Sequence, residues 1–295
     1  MRHGLHMDAH GVVVVDKPLG PTSFDVCAQL RRSFGTRAIG HAGTLDPLAT
    51  GVLVVLVGDY TRLSAHLTAH DKSYDATIVF GARTSTDDLE GEVVETGDAS
   101  VLTEEAVRAA AATFVGPQQQ TPPVYSAIHQ GGERSYEKAR RGEVVELPPR
   151  DIVVHAFDVV TWTPGRAVVH IVCSKGTYIR ALARDLGAKL GVPAHLGGLR
   201  RTRSGAYDIA DAVPLDALMD KATARDHLLR GPSAVRGLPH LEVDDDAVRA
   251  LRQGKRVPWP TAVEGVALAH RGDELIALVE RRDDALCVVR GFAAA

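Results

Sequence analysis

Residues 40–51, Gly-His-Ala-Gly-Thr-Leu-Asp-Pro-Leu-Ala-Thr-Gly, put one carboxylate, Asp46, and one imidazole, His41, on a loop with three glycines and a proline. A carboxylate on a rigid support serves as nucleophile or base if it stays ionised and does not move. Pro47 fixes its own φ and pushes Asp46 into an extended or turn conformation, which keeps that side chain out of a helix. Gly40, Gly43 and Gly51 allow φ > 0 or a close backbone approach. Asp-Pro also opens ordinary turns, and a loop histidine serves structure as readily as function, so these flanks alone leave both readings open. The chain carries no Gly-rich phosphate loop followed by Lys-Ser/Thr and no His-x-Glu zinc-deaminase signature. Cys27, Cys173 and Cys287 lie far apart and form no Cys-x-x-Cys, which excludes a thiol zinc site and argues against a disulfide framework.

The loop runs into Val52–Val57, six apolar and mostly β-branched residues that read as a buried strand. Before it, Gly11–Val15 reads as a strand ending in a turn at Lys17-Pro18. Thr22 or Ser23 then caps a helix with core positions Phe24, Cys27, Leu30 and Phe34, stopped by Gly35. After it come a helical stretch from Asp59 to Leu67, a strand from Lys72 to Gly81 and a polar hairpin over 83–98. An Ala-rich helix follows from Thr103 to Phe114, then an extended segment over 120–129 and a short basic helix, Tyr136 to Arg141. Two strands, 150–162 and 166–173, precede a helix from Thr177 to Leu190 that ends at Gly191-Val192-Pro193. Ala206–Ile209 is strand-like, and 214–236 reads as a connector of short helices. Residues 238–295 form a separate unit: a helix over 244–253 and strands near 262–270, 274–281 and 285–291. At under sixty residues that unit is marginal in isolation and needs to dock on the rest. Strands and helices mix without βαβ alternation, so the expected class is α+β, a mostly antiparallel mixed sheet flanked by helices. The expected organisation is a leader over 1–10, a main domain over 11–237 and the small α+β domain over 238–295.

A chain of 295 residues buries a sizeable core, and its 45% hydrophobic and 24% charged residues are those of a globular protein. No apolar run approaches the ~20 residues needed to span a bilayer, and Met1–His10 lacks an apolar signal core. The expectation is a cytoplasmic protein with a frayed leader and no membrane partner. The net charge of −3 speaks against nucleic acid if only the total is read. Its distribution is uneven: residues 87–105 hold eight acidic residues and no basic one, while 166–203 hold eight Lys/Arg against Asp185 alone. Such segregation gives either a local positive field or a solvated helix face.

Further stretches join the Asp46 loop: Val14-Val15-Asp16-Lys17-Pro18, Lys72-Ser73-Tyr74, Pro122–Ile128, Ser174–Gly187, and Leu199-Arg200-Arg201 to Gly205. In this order the chain resembles the TruB-type tRNA pseudouridine synthases over residues 11 to about 208. The resemblance implies a pseudouridine synthase fold with a C-terminal PUA-like RNA-binding appendage. It also implies isomerisation of uridine to pseudouridine in the TΨC arm of tRNA, at position 55, without a cofactor. Asp46 is then the nucleophile, attacking C1′ of the sugar or C6 of the base, and Arg180 holds it ionised, since a planar guanidinium fork grips a carboxylate by two bonds. The target base must be flipped out. His41 matches the residue pushed into the vacated stack, and Tyr74 the aromatic that stacks on the flipped base and helps remove the C5 proton. Tyr178 and Leu199 match positions lining the uracil pocket, and Lys17 and Asp88 positions close to the site.

Two features depart from the family. His129 stands where a lysine is usual, which puts one RNA backbone contact in doubt. The segment at 238–295 has a weaker signature and an acidic approach, Asp244–Asp246. Rival readings are a tRNA-binding or tRNA-folding factor without turnover, a guide-RNA-dependent relative acting on other RNAs, and a carboxylate glycosidase. The Asp46–Tyr74–Arg180 set disfavours the first, the lack of long basic tails the second, and the lack of a second candidate acid the third. The expected partner is the tRNA T-arm stem-loop, bound by a monomer that needs no protein partner.

Overall fold

The computed structural model describes residues 9–126, 129–130, 133–134, 141, 147–258 and 265–293. Residues 1–8 of the expected leader, Ala127-Ile128 and most of the expected basic helix (136–140) lie outside the described residues, as does the side chain of His129. The described residues begin ahead of residue 11: Ala9 is buried, and His10 Nδ1 accepts from the Asp59 amide at 3.0 Å. By packing, the chain divides into one unit of residues 1–45, 52–69 and 205–295 and another of 46–51 and 70–204. The Ala49–Val57 strand contributes to both.

In the first unit the Gly11–Lys17 strand lies between Val213–Pro214, to which it is parallel, and the later part of Ala49–Val57. Val12–Val15 and Val52–Val57 are all buried, as unbroken apolar runs covered on both faces should be. Ile39–His41 pairs antiparallel with the end of the latter, His41 opposite Val55. The Ser23–Phe34 helix starts at a capping box. Thr22 Oγ1 accepts from the Asp25 amide, and the Asp25 carboxylate accepts from the Thr22 amide. Gly35, at φ 68°, stops the helix. Cys27, Leu30 and Phe34 are buried as expected, but Phe24 is 64% exposed. The buried stripe also runs through Ser23, Val26 and Ser33, which turns Phe24 outward under the Arg31 guanidinium.

Residues 240–291 build a five-stranded sheet in the order His240–Glu242, Val266–Arg271, Glu274–Arg282, Ala285–Gly291, Val257–Pro258. The Asp245–Arg252 helix is capped by Asp244, whose carboxylate accepts from the Ala247 amide, which accounts for part of the acidic approach. Leu241, Val248, Leu251, Ile276 and Val279 form one core. Leu268, Leu275, Leu278 and Phe292 join Val12, Val14, Val52, Val54 and Leu56 in another. Among the described residues no helix is long and apolar enough to cross a membrane.

The second unit is an antiparallel sheet in the order Ala194–Ser204, Lys72–Phe80, Arg166–Cys173, Arg150–Thr163, Gly116–Gln120. Ala49–Gly51 adds parallel to Leu199–Arg201 at its edge. The polar excursion is a hairpin of Ala82–Thr84 and Val93–Thr96. The Ile179–Leu190 helix packs against the Ala194–Ser204 strand and ends at Gly191, φ 70°. The fold is thus mixed α+β, as expected. The eleven residues Ala194–Ser204 are a strand that sequence patterning did not reveal. At Gly197 a Cβ would lie 2.6 Å from Val79 Cγ2, and the register shifts between Leu196 and Gly198, so alternation is lost there.

Candidate active site

Asp46 opens a turn. Its carbonyl accepts from the Ala49 amide at 3.0 Å, with Pro47 in the first central position, where its fixed φ suits the turn. The preceding residue is pinned as well: Ser23 Oγ accepts from the Leu45 amide at 2.8 Å and donates to the Leu45 carbonyl at 3.0 Å. Gly51, at φ 96°, closes the loop where the backbone meets the neighbouring strand, and a Cβ there would lie 2.2 Å from the Arg201 carbonyl oxygen. Gly43 also takes a positive φ, of 108°, whereas Gly40 is an ordinary strand residue.

Arg180 lies in the first turn of the Ile179–Leu190 helix, with its side chain 6% exposed. Gln120 fixes that turn, donating to the Tyr178 carbonyl at 3.1 Å and accepting from the Tyr178 amide at 2.8 Å. The Arg180 guanidinium reaches four groups. Nη2 lies 2.9 Å from Asp46 Oδ2 and donates to the Tyr125 carbonyl at 2.9 Å. Nη1 donates to the Thr86 carbonyl at 3.1 Å, and Nε lies 3.6 Å from Asp88 Oδ2. Asp88 is buried, and its carboxylate also accepts from Thr86 Oγ1 and the Glu90 amide. A cation so enclosed is not free to swing away, and it holds the half-exposed Asp46 carboxylate from one side.

One helical turn on, Arg184 repeats the pattern. It pairs with Asp87 at 3.0 Å and Asp185 at 2.8 Å, and donates to the Thr121 carbonyl at 2.9 Å. Burial pushes the Asp87 carboxyl up, against the pull of Arg184. Asp87 holds φ 60°, a strained setting for a non-glycine residue, so the paired Asp87-Asp88 turn is built rather than incidental. The sequence reading missed Asp87, Arg184 and Gln120. The i, i+4 spacing of Arg180 and Arg184, facing two adjacent aspartates, was the available signal.

Tyr74 is buried on the Lys72–Phe80 strand, opposite Arg201 and Ile171. Burial pushes its phenol up. A hydrogen bond from Arg201 and that arginine's charge oppose the rise, and the charge of Asp46 adds to it. Burial likewise raises the Tyr178 phenol, with a Ser126 hydrogen bond opposing and the Asp46 charge again adding. Asp46 therefore acts on both phenols. Leu199 is half-buried, its backbone between Ala49 and Ala76, and Thr50 Oγ1 donates to its carbonyl at 3.4 Å. Asp46, Tyr74, Asp88, Tyr178, Arg180 and Leu199 thus belong to one unit. His41 and Lys17 belong to the other. There the His41 carbonyl accepts from Ser64 Oγ at 3.1 Å, and the fully buried Lys17 Nζ donates to the Pro18 carbonyl at 2.8 Å.

A carboxylate clamped by a buried arginine, with the buried Tyr74 and half-buried Tyr178 phenols under its field, suits attack by an anionic oxygen on an electrophilic carbon. The sequence profile of the TruB family pseudouridylate synthase N-terminal domain matches residues 31–179, and that of the tRNA pseudouridylate synthase B C-terminal domain matches residues 180–233. The chain belongs to the TruB family, and it is an enzyme that isomerises uridine to pseudouridine in tRNA. It is 48% identical over 284 residues to tRNA pseudouridine synthase B of Corynebacterium efficiens, covering 95% of each chain. The enzyme of the same name from Cutibacterium acnes is 43% identical, covering 95% of this chain and 98% of its own. Among solved structures, a chain of an H/ACA RNP bound to a substrate RNA containing 2′-deoxyuridine is similar at TM-score 0.76 and 25% identity, over 98% of this chain and 87% of its own. A chain of a Cbf5–Nop10–Gar1 complex is similar at TM-score 0.76 and 26% identity, over 98% and 86%.

Proposed function

We propose that the uridine isomerised is the one at position 55 in the TΨC arm of tRNA, with Asp46 as the nucleophile. The observation that carries this reading is the 2.9 Å approach of Arg180 to Asp46, made by a guanidinium already held by Asp88 and two carbonyls. An anionic oxygen kept in place forms a bond to C1′ or C6, the N1–C1′ bond breaks with its electron pair leaving on the base, the base turns, and a C5–C1′ bond forms. The bond to Asp46 is then released, as the carboxylate leaves C1′ or is eliminated from C6. The C5 proton passes to solvent, and N1 gains one. Tyr74 and Tyr178 face the flipped base with Leu199, and His41 fills the gap left in the stack. Lys17 is assigned to substrate binding on the family resemblance. Residues 238–295 act as a PUA-like grip on RNA and residues 11–237 as the catalytic domain, and the monomer works in the cytoplasm without a protein partner.

The target is favoured by the curated relatives, named as tRNA enzymes at 41–48% identity, over the ribonucleoprotein chains at 25–26%. The test is release of the C5 hydrogen from uridine in an isolated T-arm stem-loop. Release from that one uridine is expected. Release from full tRNA with none from the stem-loop, and pseudouridine mapped elsewhere, would overturn the target.

A further inference from the structure

Arg201 is a charged group that the mechanism above leaves without a task. It is 1% exposed and ranks among the largest fully buried side chains of the protein. Its row across the sheet runs Gly51, Arg201, Tyr74, Ile171, Phe157. Directly opposed residues in adjacent strands turn their side chains to the same face. The row is otherwise apolar: Ile171 and Phe157 are buried, and Gly51 adds no side chain. A guanidinium taken out of water into such a row is costly to desolvate. Its position is justified by its neighbour, the Tyr74 hydroxyl, to which it hydrogen-bonds.

We infer that Arg201 is a positioning residue for Tyr74, donating to the phenol oxygen so that the hydroxyl turns its own proton toward the uracil as a hydrogen-bond donor. The inference rests on the reading of Tyr74 as the group facing the flipped base. When the N1–C1′ bond breaks, its electron pair leaves with the base and negative charge develops on the uracil ring. A neutral phenol, polarised by a cation behind its oxygen, stabilises that charge without transferring its proton. This assigns Tyr74 a different task from removal of the C5 proton, which requires a phenolate. The surroundings favour the neutral form. Burial is the main cause, and the charges of Asp46 on the loop and Cys173 on the next strand act the same way, against Arg201. Lys72, on the strand of Tyr74, also faces Arg201 and is itself brought down to about 8 by burial and by that arginine.

The experiment compares Arg201→Met and Arg201→Lys with wild type on a T-arm stem-loop, each variant first shown to be folded. The expected result is a kcat lower by roughly 10- to 100-fold with KM changed less than about threefold, and partial rescue by lysine. Arg201→Lys carries the test if Arg201→Met does not fold. A second readout is independent of turnover: ultraviolet titration of Tyr74, taken as the difference from the same protein carrying Tyr74→Phe. Loss of the guanidinium should move that titration up by about one unit or more. In wild type, with Lys72→Met as control for the neighbouring amine, the rate should not climb with pH in the manner of a phenolate base, roughly tenfold per unit. Unchanged kcat in both variants, an unmoved Tyr74 titration, or such a climb would overturn the inference. Full activity in Tyr74→Phe would instead overturn the reading of Tyr74 on which it rests, while the titration would still report the Arg201 contact.

Discussion

Arginine–carboxylate pairs occur at the Asp46 site and again on the C-terminal five-stranded sheet, yet the two sets differ in nearly every respect that matters. On the C-terminal sheet Arg271 pairs with Asp245 at 3.1 Å and Arg281 with Asp284 at 3.3 Å, with all four side chains more than a third exposed. Water and salt screen such pairs, and each contributes little. At the site, Arg180 and Asp88 are 6% and 4% exposed. There the ions have lost their hydration and depend on each other, on two carbonyls and on the turn that bends Asp87 to φ 60°. Burial converts a decorative contact into a fixed electrostatic frame. Only Asp46 is left half-exposed, where a substrate can meet it.

The contrast breaks most visibly at Arg180. Arg180→Met leaves Asp88 buried without its cation, so unfolding free energy should fall by about 3–5 kcal/mol in urea titrations. Turnover should fall by about 100-fold or more even under conditions where the protein is folded. A variant losing less than 1 kcal/mol would show that the buried set is no stronger than the exposed one.

A buried cation carries a pH signature that an exposed one lacks. Lys72 sits at about 8 when folded, against 10.5 when unfolded. Below pH 8 the amine is charged in both states, and the folded state bears the full desolvation cost. Between about 8 and 10.5 the unfolded chain binds more protons, so stability rises with pH, and above that range the cost is gone. Relative to Lys72→Met, wild type should therefore gain about 3 kcal/mol across that window. Parallel stability curves for the two proteins would contradict the burial argument. At the other extreme, Arg271→Ala should change stability by no more than about 0.5 kcal/mol, with added salt removing most of that.

The sequence was most legible where one residue type does one job. The glycine-bounded loop, the Val52–Val57 strand, the helix stops at Gly35 and Gly191, and the helix carrying Arg180 all stood where patterning put them. Asp88 was legible by resemblance, and it stands 3.6 Å from the Arg180 guanidinium. The Ala194–Ser204 strand was hidden because its Gly-Gly bulge and three arginines break the two-residue period. Arg201 was hidden with it: a buried arginine looks like a surface one until the strands on both sides are known. Phe24 was assigned to the core by its type, although the stripe through Val26, Leu30 and Ser33 faces elsewhere.

The most direct test of the account is Asp46→Asn, assayed for pseudouridine formation and for RNA binding on the same preparation. The amide keeps the carboxylate's shape but does not attack carbon, while Asp88 and the two carbonyls still hold Arg180. The fold should therefore lose only about 1 kcal/mol, since the Asp46 side chain is 38% exposed. No detectable pseudouridine is expected, with RNA affinity close to wild type. Folded Asp46→Asn protein that still forms pseudouridine at near the wild-type rate would contradict Asp46 as the nucleophile.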